Sequence, residues 1–204
     1  ENTDLLAAKG SEKIGIDVSK WNKTIDWEDV KDAGVEFAII RCGYRGASSG
    51  ALILDPMYER NIKGAIDADI PVGVYFFTQA IDEVEAVEEA SMVISLIEKY
   101  DVDYPVFLDS ESAGGSGRAD WLEADERTKV HKAFLETISA AGYETGVYGS
   151  RNWLNEQVNM KDLSDYKTWL AEYAEVPQYD AYYHMWQYTS KGTVDGIDTD
   201  VDLN

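Results

Sequence analysis

The stretch FAIIRCGYRGASSGALILDPMYERNIKGAIDADIPVGVYFFT, Phe37–Thr78, decides the fold. It opens with a β-branched and aromatic run, Phe37–Tyr44, and closes with a second one, Val72–Thr78. Between them, Pro56–Ala68 carries apolar residues at helical spacing. A strand, a helix and a strand in this order form a crossover unit with the two strands parallel. The same rhythm runs outward in both directions. Upstream stand a strand at Lys13–Ser19 and a helix at Asp26–Ala33. Downstream follow helix Asp82–Tyr100, strand Val106–Glu111, helix Ala124–Ala141, strand Thr145–Gly149 and a short helix near Asn152–Val158. Strands at Thr168–Tyr173, His184–Thr189 and Asp200–Leu203 complete eight, in a final third poor in helices.

Eight strands with helical crossovers of one hand predict an α/β fold closed into a (β/α)8-like barrel, in preference to an open sheet. The 204 residues fall short of the about 250 typical of such barrels. Outer helices in the C-terminal third are therefore expected to be reduced or missing. The chain has no internal repeat or domain linker, so residues 13–204 read as one barrel domain preceded by an N-terminal extension or linker, 1–12.

Composition narrows the class. The hydrophobic share of 45% is that of an ordinary globular chain, while 39 acidic against 18 basic side chains give a net charge of −21. Such a charge repels nucleic-acid phosphates and anionic lipid at long range, so neither nucleic acid nor membrane is an expected partner. Spread over nearly every loop and helix face, the acids read as a solvated surface. No apolar run approaches the roughly 20 residues needed to cross a bilayer, and ENTDLLAAKG at the start lacks the pattern of a signal peptide. The chain lacks an initiator Met, so a leader or upstream region is expected to have been removed. The single cysteine, Cys42, allows no internal disulfide and falls inside a strand pattern, which makes it a core residue. A monomer is expected.

Chemistry in such a barrel sits at the C-terminal ends of the strands and in the loops that follow. The first strand leaves Asp17 there, the fourth leaves Asp109 and Glu111, and the last carries Asp200 and Asp202. Residues two apart on a strand share a face, so Asp109 and Glu111 converge while Ser110 points away. Two carboxylates in one desolvated pocket repel each other, and one of them is expected to keep its proton at unusually high pH. A raised Glu111 would be a usable acid. Glycosidic cleavage needs that acid together with a second carboxylate that stabilises charge, attacks the sugar or activates water. Tyr75, Tyr148, Trp169, Trp186 and Tyr188 stand at the other strand ends, where rings either stack on sugars or fill the barrel. The AGGSG run, Ala113–Gly117, is a flexible loop over the site or a plain turn.

The chain resembles the lysozymes of glycoside hydrolase family 25. The resemblance rests on GIDVSKWN (Gly15–Asn22), FAIIRCGYRG (Phe37–Gly46), DPMYERNIKGA (Asp55–Ala65), VGVYFFTQA (Val72–Ala80), EAVEEA (Glu85–Ala90), YPVFLDSES (Tyr104–Ser112), AGYETGVYGSRNWL (Ala141–Leu154), WLAEY (Trp169–Tyr173) and MWQYTSKGTVDGIDTDVDLN (Met185–Asn204). It implies an N-acetylmuramidase that cuts the β-1,4 bond after N-acetylmuramic acid in peptidoglycan glycan strands, with retention, without cofactor or metal, and as a secreted or extracellular protein. Glu111 would be the general acid, Asp109 its stabiliser or nucleophile, and Asp17 and Asp202 an acidic floor. Tyr75, Tyr148, Trp169, Trp186, Tyr188 and Arg41 would contact substrate. The resemblance leaves the attacking group open between a carboxylate and the sugar's own N-acetyl oxygen. Many relatives carry His where this chain has Phe76, and altered subsite affinity is expected from that exchange. Peptidoglycan is itself anionic, so a protein at −21 gains no long-range attraction to it.

Other chemistries find little support. His131, inside a helical run, and His184, at a strand start, have no evident Ser or Cys partner for a triad, although His184 could still touch a site at the barrel end. The tail DGIDTDVD, Asp195–Asp202, lacks the mid-loop Gly and terminal Glu of a calcium loop. Asn22-Lys23-Thr24 is a glycosylation sequon in a eukaryotic secretory setting. Two rivals remain: a barrel glycosidase cutting after N-acetylglucosamine, as chitinase-like enzymes do, and a sugar-binding barrel without catalysis. The first lacks its longer Asp signature here; the second would be expected to have lost some of these acids.

Overall fold

A computed structural model describes residues 13–204, so the proposed extension 1–12 lies outside the described residues. The chain runs β1 (Gly15–Val18), α1 (Trp27–Asp32), β2 (Phe37–Arg45), β3 (Leu52–Leu54), α2 (Tyr58–Asp67), β4 (Val72–Phe77), α3 (Glu83–Ile97), β5 (Val106–Asp109), α4 (Ala124–Ala140), β6 (Thr145–Ser150), α5 (Arg151–Glu156), β7 (Lys167–Ala171), β8 (Met185–Gln187), β9 (Thr189–Gly192) and β10 (Val201–Leu203). Helices α1, α3 and α5 begin at side-chain caps, Asp26, Asp82 and Ser150. Asp82 accepts a hydrogen bond from the Glu85 amide, and Glu83 and Glu85 complement the positive end of the α3 dipole.

Seven strands are parallel, in the order β8-β7-β6-β5-β4-β2-β1. Beyond β1 the pattern changes: β10 pairs antiparallel with β1, and β9 pairs antiparallel with β10. The expected eighth parallel strand is thus an antiparallel one, because a short loop and not a helical crossover joins β9 to β10. The predicted strand His184–Thr189 divides at Tyr188 into β8 and β9, which are the two end strands of the sheet. One residue of chain therefore links the sheet's two edges, and the barrel is nearly closed there. Strand β3, a hairpin partner of β2, went unpredicted.

Alternation along the strands separates two cores. Phe37, Ile39, Phe107 and Trp169 fill the lumen, with Tyr75, Tyr148 and Met185 packed on them. The opposite strand faces, including Ile16, Ile40, Val74 and Val147, pack with Ile62, Val93 and Phe134 of the helices. Cys42 is fully buried in that outer core. The β2–β4 register shifts between Arg41 and Gly43, a bulge that leaves Cys42 as the additional residue beside the strand end carrying Arg41.

Strands β6 and β7 approach so closely that a Cβ at Gly146 would lie 2.2 Å from the Lys167 carbonyl oxygen. Backbone cannot yield as a flexible side chain can. Gly146→Ala is therefore expected to cost about 1–3 kcal/mol or more, which a chain of this size registers in thermal melting as several degrees at about 2–4 °C per kcal/mol. A variant melting with the parent would contradict this contact.

Candidate active site

Asp17 lies at the mouth end of β1, opposite Asp202 in the antiparallel register that closes the barrel, and the two carboxyls are hydrogen-bonded to each other. Asp17 Oδ2 also accepts from Gln187 Nε2 at 2.8 Å and Asn204 Nδ2 at 2.9 Å. Both amides are fixed in turn. Gln187 Oε1 accepts from the Tyr148 and Tyr173 hydroxyls, each at 2.8 Å, and Asn204 Oδ1 accepts from the Trp169 indole at 2.7 Å. A polar layer thus covers the apolar lumen and orients one carboxyl pair.

The second pair stands at the end of β5. Asp109 is 6% exposed, whereas Glu111, just beyond the strand, is exposed; a hydrogen bond joins the two. Burial, and then the negative charge of Glu111, push the Asp109 carboxyl well above the ordinary Asp range, with Asp17 adding to the rise and Arg41 opposing it. Asp17 is likewise pushed up, first by burial and then by the charge of Asp202. Asp202, half-buried, is raised by burial. Between these pairs lies Tyr75, whose hydroxyl is raised by burial and then by the charges of Asp17 and Asp109. The upward shift falls on Asp109, the member shut away from water.

Ser110 points out of the barrel, as the alternation predicts. Its hydroxyl accepts from Trp153 Nε1 at 2.8 Å and lies 2.6 Å from His131 Nε2, so α4 and α5 grip the strand end between the two acids. His131 does have a serine partner after all. Both are buried, and burial holds the imidazole down at about 3, so the pair is a structural clasp out of reach of substrate.

A cleft of about 590 Å³ opens beside Glu111, walled by Tyr148, Ser150, Arg151, Trp153, Glu172 and Tyr173. Tyr75 and Tyr148 remain partly exposed above the lumen. The other expected contacts lie elsewhere. Trp169 points inward but is 1% exposed, sealed under both tyrosines, so no sugar reaches it. Gln187 points inward, and its neighbours Trp186 and Tyr188 therefore pack against the outer core, with the Trp186 indole donating to the Glu172 carbonyl. Arg41 is buried at the mouth, bound through Nε to Asp55 at 2.7 Å, with Nη2 unpartnered. Phe76 also faces the outer core, so the exchange at that position does not touch the cleft. Gln187, Asn204, Tyr173, Arg151 and Glu172 were not foreseen. For Gln187 the signal was available, since a residue between two outward aromatics on a strand must face inward.

The remaining features serve the frame. Ala113–Gly117 is wound around Asp120, whose carboxylate accepts from the Ala113 and Gly117 amides at 2.9 and 3.0 Å. It is an ordered turn, with Gly114 and Gly115 at positive φ. Asn22 is buried and donates to Thr199 Oγ1 and the Asp200 carbonyl, tying the turn after β1 to the segment before β10 with the amide that a glycan would need. His184 Nδ1 accepts from the Thr168 amide at the strand starts, the opposite end of the barrel from Asp109. Among the described residues, no group of three or more His, Cys, Asp or Glu side chains is placed to hold a metal ion.

Paired carboxyls at barrel strand ends, beside a cleft of sugar size with tyrosine walls, define a glycoside hydrolase. The chain belongs to glycosyl hydrolases family 25, whose sequence model matches residues 16–197. It is a lysozyme-type member. The autolytic lysozyme of Clostridium acetobutylicum is 27% identical over 191 residues, a match covering 93% of this chain and 54% of that protein. The uncharacterized protein YegX of Escherichia coli K12 is 28% identical over 204 residues, with coverage of 93% and 68%. Among solved structures, the modular autolysin LytC of Streptococcus pneumoniae, in complex with a synthetic peptidoglycan ligand, superposes with a TM-score of 0.83 at 31% identity, covering 94% of this chain and 46% of that one. The lysozyme of Streptomyces coelicolor gives 0.77 at 25% identity, with coverage of 96% and 92%. The chain thus spans about half the length of the pneumococcal and clostridial proteins.

The buried carboxyls make stability depend on pH in a definite direction. A folded-state pKa raised above the unfolded value adds stability that is complete below about 3.8 and lost as pH rises through the raised value. At neutral pH Asp109 therefore costs stability. Asp109→Asn, which keeps the shape without the charge, is expected to raise the melting temperature by a few degrees at pH 7, on the order of 1–2 kcal/mol, and to give no gain at pH 4. Equal effects at both pH values would refute the assignment.

Proposed function

We propose that this chain hydrolyses the β-1,4 bond between N-acetylmuramic acid and N-acetylglucosamine in peptidoglycan, with Glu111 as general acid and with retention. The observation that carries the reading is the hydrogen-bonded Asp109–Glu111 pair, one member buried and the other open to the cleft. The pair shares a proton. Burial keeps it on Asp109 at rest, and Glu111 is the member that can present it to a glycosidic oxygen. When a sugar displaces water from the cleft, the proton passes from Asp109 to Glu111 and on to the leaving oxygen, so that Asp109 is left ionised as positive charge builds at the anomeric carbon.

Asp109 Oδ1 is buried and has no hydrogen-bond partner. Such an acceptor suits the N–H of a 2-acetamido group, whose oxygen then attacks the anomeric carbon while Asp109 orients the amide. Water, deprotonated by the now ionised Glu111, opens the resulting ring and restores the starting configuration. A buried carboxyl that favours its proton is a weak nucleophile, which weighs against direct attack by Asp109. Asp17 and Asp202, tied to Gln187 and Asn204, hold the floor and keep negative charge facing the developing cation. Peptidoglycan lies outside the cytoplasmic membrane, and on this reading the enzyme works there, as a monomer, without cofactor, membrane or nucleic-acid partner.

Clearing of a peptidoglycan suspension tests the acid. Glu111→Gln is expected to lose about 100-fold or more of the rate, and the new reducing ends should be muramic acid. Unchanged clearing would remove Glu111 from the role, and glucosamine ends would favour the chitinase-like alternative. Asp109→Asn removes the repulsion that keeps the shared proton in place. Its rate profile should therefore lose activity at lower pH on the alkaline side than the parent. Activity on de-N-acetylated glycan should collapse if the acetamido oxygen attacks, and persist if a carboxylate does.

A further inference from the structure

The cleft beside Glu111 contains a cation that the reaction scheme does not use. Arg151 follows β6 directly, its side chain is 42% exposed, and its one ionic contact, Nη1 to Glu172 Oε1, is stretched to 3.5 Å. Nε is buried without a hydrogen-bond partner. Glu172 is committed elsewhere, since both of its oxygens accept from the Gln178 amide at 3.0 Å. A guanidinium offers five N–H donors in a planar fork, and here almost all of that capacity is unspent. The other arginines near the mouth are anchored, and the unpartnered Nη2 of Arg41 is buried and not open to the cleft as Arg151 is. Arg41 is locked to Asp55 at 2.7 Å, Arg118 grips both oxygens of Glu85 at 2.6 and 3.0 Å, and Arg127 donates to the Gln157 and Ala119 carbonyls.

The wider electrostatics call for such a group. With the chain at −21 and the mouth crowded by Asp17, Asp109, Glu111 and Asp202, an anionic polymer approaches against a repulsive field. We infer that Arg151 is a receptor for a carboxylate carried by the glycan strand, binding it through the planar fork while Tyr148 and Tyr173 wall the sugar. The inference rests on the hydrolase reading above and assigns its cleft a specificity element. Two sources offer the same chemistry: the lactyl ether carboxylate, free only where the stem peptide has been removed, and the terminal carboxylate of an attached stem peptide.

Binding to protein already disabled by Glu111→Gln separates these cases, with three glycans as probes: peptide-bearing glycan, glycan stripped of its peptides by an amidase, and an uncharged N-acetylglucosamine oligomer. Adding Arg151→Gln is expected to weaken at least one of the carboxylate-bearing ligands by about 10-fold, and to leave the uncharged oligomer within about 2-fold. Loss on the stripped glycan alone identifies the lactyl group, and loss on the peptide-bearing glycan alone identifies the stem. Arg151→Lys, which keeps charge but not the fork, should fall between the two. Equal weakening of all three ligands, or of none, would overturn the inference while leaving Glu111 untouched. Failure of any glycan to bind, together with no clearing by the parent enzyme, would instead bring down the hydrolase reading and this one with it.

Discussion

Negative charge held out of water at the barrel mouth is the constraint around which this molecule is arranged. Asp17 and Asp109 are almost wholly buried, and Arg41, the cation that opposes the rise at Asp109, is itself bound to Asp55. An isolated buried carboxylate would be prohibitive, so each instead shares a hydrogen bond with a second acid that is less buried. The protein then spends polar side chains to fix these pairs. Gln187 and Asn204 donate to Asp17, and tyrosine and tryptophan hydrogen bonds keep those amides from turning over. Placing hydroxyl and indole groups above an otherwise apolar lumen has the same logic. They supply directional donors to the amides that hold Asp17, while their rings close the barrel against water.

The strand end at Asp109–Glu111 is fixed from its other side. A side chain between two convergent acids must point outward, and Ser110 uses that position to bond both Trp153 and His131. Trp153, whose indole donates to Ser110 Oγ, belongs to α5, whose first residue is Arg151. The helix that anchors the acid pair from behind therefore also carries the cation of the cleft. Packing and recognition are coupled here through one short element, and a shift of that helix would move both at once.

Much of this was legible in the sequence, and what was missed shares a cause. The βα rhythm and the convergence of Asp109 with Glu111 follow from local periodicity, which any strand or helix obeys wherever it sits. The same period of two also places Trp186 and Tyr188 opposite Gln187, so their assignment to the site came from counting rings at strand ends without asking which face each ring takes. Trp169 failed for a different reason. It faces the right way, but its depth is set by Tyr75 and Tyr148 above it, which come from other strands. Burial is a tertiary quantity, and it is also the first cause of the upward shift at Asp109. Arg151 was invisible for a related reason: its importance lies in which hydrogen bonds are left unmade.

The antiparallel closure was the largest departure from the expected fold, and it has a chemical consequence. In a uniform barrel every strand end carrying a functional group enters the mouth in the same direction, and the last strand would deliver its C-terminal residues there. Strand β10 instead runs against β1, so that Asp17 faces Asp202 as a directly opposed pair and Gly15 exchanges backbone hydrogen bonds with Asn204 on the same ladder. Directly opposed residues on antiparallel strands bring their side chains within about 5.5 Å, closer than like charges tolerate unless a proton lies between them. The reversal thus does more than seal the sheet without a helix. It creates the second hydrogen-bonded acid pair, and through Asn204 and Gln187 it binds that pair to both chain segments that complete the barrel.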